Sequence, residues 1–118
     1  MAKKVFISYR RADTGGHADA LVDKLKPRIG DENVFRDREN LRAGYPFEEQ
    51  LGMALEESEA VLVLIGPRWE EEVEKRKGET DYMLWEIEKA FSLKEDGRRQ
   101  VIPVLFDRSM PDMQPFLD

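Results

Sequence analysis

The chain has 118 residues, 41% hydrophobic and 37% charged, with a formal charge of −6 and no cysteine. That length fits one domain with a buried core, and the acidic balance argues against a nucleic-acid binder, which needs basic surface to displace phosphate counterions. Without cysteine there is no disulfide framework, thiolate nucleophile or thiolate metal site, and the lone histidine, His17, argues against a histidine-based zinc site.

The N-terminal "MAKKVFISYRR" carries an apolar run of strand length, too short for a signal-peptide core. Its segment Lys4–Tyr9 is the first predicted strand. "HADALVDKLKPRIG" follows, with Ala18, Leu21, Val22, Leu25 and Ile29 at helical steps and Gly30 as its stop. His17 reads as an exposed residue early in this helix. Asn33–Asp37 is the second strand; "YPFEEQLGMALEES" is the second helix, with Pro46 at its start and Phe47, Leu51, Ala54 and Leu55 on one face. Ala60–Gly66, "AVLVLIG", is apolar on both faces, as suits a central strand of a parallel sheet. It is far shorter than the roughly 20 residues that span a bilayer, so no membrane span is expected and a cytoplasmic location is the default.

The charged stretch Glu70–Glu79 reads as a solvated loop or short helix. "DYMLWEIEKAFSLKEDG" is the next helix, ended by Gly97, and Gln100–Phe106 is the fourth strand. Pro103 inside it lacks a ladder donor, which points to a strand near the sheet edge or to a bulge. Strand and helix alternating in this way imply an α/β, doubly wound parallel sheet. The chain stops with four clear strands and no final helix, and residues 1–118 read as a single domain excised from a longer protein.

Two loops, "RDRENLRAGY" and "GPRWEEEVEKRKGET", follow the carboxyl ends of strands, the edge where open α/β sheets bind ligands. Neither G-x-G-x-x-G nor G-x-x-x-x-G-K-[ST] is present, which removes dinucleotide hydride transfer and P-loop phosphoryl transfer. A phosphoacceptor site is absent too, because the first strand ends in Arg10 and Arg11 and the third in Gly66. What converges on the ligand edge is Ser8, Tyr9, Arg10 and Arg11 from the first strand, with Phe35, Arg36 and Asp37 from the second. Arginine forks suit phosphate oxygens and an aromatic ring can stack on a base. The plainer reading makes Tyr9 and Phe35 packing residues and leaves the arginines solvated or paired with Asp13 and Asp37.

Taken together, "VFISYRRAD", "VFRDRENLRAGYPFEEQLGMAL", "AVLVLIGPRW", "EIEKAF" and "VIPVLF" resemble, in order and spacing, a Toll/interleukin-1 receptor (TIR) domain of the bacterial type. The resemblance implies a flavodoxin-like sheet in strand order 2-1-3-4-5, here without a clear last strand and helix. "RDRENLRAGYPF" is similar to the family's BB loop, which implies assembly with other TIR domains through Arg42, Gly44, Tyr45 and Pro46. Ala43 stands where many members carry a proline before the glycine.

Many bacterial members cleave NAD⁺ at the nicotinamide–ribose bond, often in defence against phage; NAD⁺ is then substrate, and no cofactor is needed. Aligning "DYMLWEIEKAF" with the family's W-x-x-x-E-I pattern implies Glu86 as the catalytic carboxylate, with Tyr82 at the tryptophan position. The resemblance makes Arg10 and Arg11 candidates for the pyrophosphate or the cleft rim, and Phe35 a candidate for the nicotinamide ring. Ser8, Tyr9 and Tyr82 complete the expected substrate-binding set. Trp69 is a further candidate to cover the base, with loop packing as its plainer role.

Helix geometry does not choose between the two glutamates of this segment. At about 100° per residue, Met83, Leu84, Ile87, Ala90 and Phe91 form the expected buried face, with Glu86 on one flank and Glu88 on the other. The plain alternative for Glu86 is a solvated pair with Lys89. The alternative for the whole chain is a non-enzymatic TIR scaffold that binds partner TIR domains.

Overall fold

The computed structural model describes residues 4–36, 47–78, 81–94 and 100–111. β1 (Val5–Ser8) leads into α1 (Arg11–Ile29), a single 3₁₀ turn (Asp31–Asn33) and β2 (Val34–Arg36). Then come α2 (Phe47–Glu57), β3 (Ala60–Ile65), α3 (Trp69–Lys75), α4 (Tyr82–Lys94) and β4 (Gln100–Leu105). The four strands form one parallel sheet in the order β2-β1-β3-β4, matching the first four positions of the expected 2-1-3-4-5.

β3 is an interior strand, in register with β1 from Ala60 opposite Val5 and with β4 from Ala60 opposite Gln100. Its apolar run thereby feeds both faces. Val61, Val63 and Ile65 join Phe6, Leu51, Leu55, Trp69, Val73, Met83, Ile87 and Ala90 in one core, and Leu64 joins Ile7, Tyr9, Ala18, Val22 and Val34 in the other. α1 therefore covers one face, and α2 and α4 cover the opposite one. Pro103 sits opposite Val63 in β4, an edge strand among the described residues, where the sheet tolerates a residue that cannot donate.

α1 starts six residues earlier than the apolar periodicity suggests, at Arg11, because the Arg10 carbonyl accepts the Asp13 and Thr14 N–H groups. Non-helical torsions at Thr14 kink this added first turn. At the far end the Gly30 N–H donates to the Lys26 carbonyl, and Gly30 holds φ +95°, a conformation that a side chain would strain. The charged stretch after β3 contains a real short helix, α3. Pro46 and Gly97, expected to punctuate α2 and α4, lie outside the described residues.

Candidate active site

Side chains alternate across a strand, so consecutive residues of β1 part company. Phe6, Ser8 and Arg10 face α2 and α4; Ile7 and Tyr9 face α1. The expected site residues are divided by the sheet accordingly.

On the α4 side, Glu86 is 2% exposed. The Ser8 hydroxyl donates to its Oε1 at 2.8 Å, across 78 residues of sequence. Burial of the carboxylate excludes the solvated pairing with Lys89, and it turns α4 relative to the expected buried face. Met83, Glu86, Ile87 and Ala90 are buried, whereas Phe91 is 37% exposed and Glu88 is exposed. Phe91 instead borders an apolar groove with Pro103 and Met110 beside β4.

Two residues beyond Ser8, the Arg10 guanidinium is also buried. It donates from Nη1 and Nη2 to the two oxygens of Asp81, at 2.9 and 2.7 Å. This fork-to-fork geometry is the strongest form of carboxylate recognition. The same Asp81 caps α4: its Oδ1 accepts the Leu84 N–H at 3.3 Å and its carbonyl accepts the Trp85 N–H at 3.0 Å. Arg10 lies 5.7 Å from the centre of the Trp69 ring, close enough for a cation–π contact. Trp69 is fully buried in the core, as its packing role requires. Phe35 is half-buried and stacked on Phe6, ring centroids 5.0 Å apart and planes 19° from parallel.

On the α1 side, Tyr9 is 6% exposed and packed among Ile7, Ala18 and Val22. Its upper end borders an open polar cleft of about 490 Å³, lined among the described residues by Tyr9, Arg11, Gly15, Gly16, Asp19 and Arg36. Arg36 is held by Asp19 in this cleft; Arg11 is exposed in the first turn of α1. Neither arginine at the end of β1 pairs with Asp13. That carboxylate instead accepts the backbone N–H groups of Gly66 and Arg68, each at 2.9 Å, and so pins the β3–α3 loop to α1. A Cβ on Gly66 would lie 2.5 Å from Asp13 Oδ1 and 2.9 Å from Thr14 Cγ2, so this close approach needs glycine.

α3 is fastened from the other side by Arg108, which pairs with Glu70 and donates to the Gly66 carbonyl at 3.3 Å. The Arg108 hydrogen bond holds the Glu70 carboxyl below the usual carboxylate range, and Glu70 in turn raises Arg108. Glu72 is lowered by hydrogen bonds from Arg76 and then Lys75. His17 is exposed and stacked on Phe106 at 3.9 Å.

The model of the TIR domain family matches residues 5–117. This chain belongs to the TIR domain family. Among solved structures it is similar to the TIR domains of the activated Roq1 resistosome, which directly recognises the pathogen effector XopQ. The TM-score is 0.68 at 23% identity, covering 92% of this chain and 60% of that one. At that identity the likeness concerns the fold. No protein of curated function matches the sequence.

Within the TIR domain, Ser8, Arg10, Phe35 and Glu86 lie on one side of the sheet, and Tyr9 and Arg11 border the cleft on the other. Tyr82 opens α4. Its side chain, and the expected assembly residues Arg42, Gly44, Tyr45 and Pro46, lie outside what is described. Nothing local in the sequence marks Asp81 as the ion pair partner of Arg10, although an aspartate immediately before a helical run carries the signal of an N-cap.

Proposed function

We propose that this TIR domain is an NAD⁺ glycohydrolase or cyclase, activated by self-association through the BB loop and serving cytoplasmic immune or anti-phage signalling. The observation that carries the reading is the Glu86 carboxylate, 2% exposed and hydrogen-bonded to Ser8 at the carboxyl end of β1. A surface glutamate on an amphipathic helix has no reason to be withdrawn from water, and a buried polar group persists only where it is held.

The chemistry asked of such a group is limited. The C1′–N bond of NAD⁺ breaks with its electron pair leaving on nicotinamide, which departs neutral and needs no general acid. A carboxylate beneath the ribose stabilises the oxocarbenium-like centre, as in glycoside hydrolysis. Water then adds at C1′ and loses a proton, giving ADP-ribose; attack by a nucleophile within the same molecule gives a cyclic product. Ser8 fixes the direction of the Glu86 carboxylate. The polar cleft bordered by Tyr9 and Arg11 lies at the same carboxyl edge, where the arginine can meet the pyrophosphate at the cleft rim, and half-buried Phe35 is the candidate to stack on nicotinamide or position it.

The test is nicotinamide release from NAD⁺ by the assembled protein, with NADP⁺ and ATP as competing substrates. Release by wild type and its loss in Glu86→Gln supports the assignment; turnover unchanged in Glu86→Gln removes it. If the assembled wild type consumes no NAD⁺ and Gly44→Asp still abolishes assembly, the domain is a scaffold for partner TIR domains.

A further inference from the structure

Arginines at the end of a first strand invite assignment to a phosphate, and adjacent Arg10 and Arg11 invite it equally. Their surroundings differ. The Arg10 side chain is 2% exposed and that of Asp81 10%. Both Nη groups are committed to Asp81, one face of the guanidinium approaches Trp69, and Nε is buried without a hydrogen-bond acceptor among the described residues. A phosphate that took the Nη groups of Arg10 in the same fork would displace Asp81 and strand a largely buried carboxylate; breaking such a pair is strongly destabilising.

The position of the pair defines what it does. Arg10 is the residue whose carbonyl starts α1, and Asp81 is the residue that caps α4. Ser8 and Arg10 project from the same face of the β1 end, and they meet Glu86 and Asp81 of one helix segment. The helix is thus held at two points, the capped end and the carboxylate. With the first point fixed by a planar fork, axial sliding or rotation of the first turn of α4 would break both hydrogen bonds.

We propose that Arg10 and Asp81 are positioning residues for Glu86: their buried ion pair clamps the start of α4 to β1 and sets the height and rotation at which the Glu86 carboxylate meets Ser8. This rests on the proposed NAD⁺ cleavage for its catalytic consequence, while the mechanical claim stands by itself.

Two measurements separate the possibilities. In steady-state kinetics of the assembled protein, Arg10→Lys keeps the charge but loses the fork, and Arg10→Met with Asp81→Asn removes both charges while leaving a capping side chain. A clamp predicts that kcat falls by about 10–100-fold in each, the scale of a small misplacement of a reacting group, with KM little changed. A KM that rises with kcat retained would make Arg10 a substrate ligand and overturn the proposal. Hydrogen exchange provides the second measurement, and it needs no substrate. The Leu84 and Trp85 amides should exchange at least about tenfold faster in both variants, with the interior amides of α1 unchanged, because opening is local to the released segment. Uniform acceleration across α1 and α4, or none at Leu84 and Trp85, would overturn the clamp. If wild type proves inactive on NAD⁺, the exchange result still decides the mechanical claim, so the two failures are distinguishable.

Discussion

Arg10 and Arg11 are neighbours in sequence and belong to different parts of the molecule. Arg10 points with Ser8 toward α4, where it pairs with Asp81 while Glu86 accepts from the Ser8 hydroxyl. Arg11 stands at the α1 side beside an open polar cleft. The two regions show that the identity of a residue type says little until the pleat assigns it a face. On one face an arginine is buried in an ion pair; on the other it is exposed beside a cleft.

The comparison can be broken most severely at its chemical centre. Glu86→Gln should lower NAD⁺ turnover by at least about 10²–10³-fold, the usual cost of deleting an electrostatic stabiliser, whereas exposed Glu88→Gln should stay within about twofold; nicotinamide release checks both. Arg10→Ala should cost up to about 3–5 kcal/mol because it leaves the largely buried Asp81 carboxylate without its counter-charge, while Arg11→Ala should stay within about 0.5 kcal/mol. Urea denaturation of the two variants reads that contrast directly.

Ser8→Ala removes the donor to Glu86 and should cost about 1–3 kcal/mol in the same assay, with turnover reduced as well. The mildest effect concerns the α3 fastening. Glu70 has a folded pKa below its ordinary value near 4.5, so its contribution is fully present above that value and is lost as pH falls through the lower folded pKa. At an exposed pair this amounts to about 0.2–1 kcal/mol, and Arg108→Ala should abolish that part of the acid dependence, measured as Tm against pH.

Much of the fold was legible because its signals are local and redundant. β3 announced itself as an apolar run without alternation, and Pro103 marked β4 as a strand near the edge or bulged; among the described residues it is an edge strand. Gly30 stopped α1 where its torsions require glycine. Glu86 was singled out by resemblance, since helical periodicity left it level with Glu88. Burial then separated the two, through a partner 78 residues away that no local pattern encodes. The division of Ser8 and Arg10 from Tyr9 follows from strand alternation and could have been read at the outset. Asp81 carries an N-cap signal that says nothing of Arg10, which reaches it only through tertiary packing.

The hydrogen bond between Ser8 and Glu86 also has a history in time. Its two ends are made far apart during synthesis, and β1 is complete long before α4 exists. Parallel pairings of this kind close late, since a large loop must be ordered before the contact forms. β1 and α4 must both be in place on the sheet before the carboxylate meets its hydroxyl. An incomplete chain therefore carries the serine without its acid, and the site comes into being only with the finished domain.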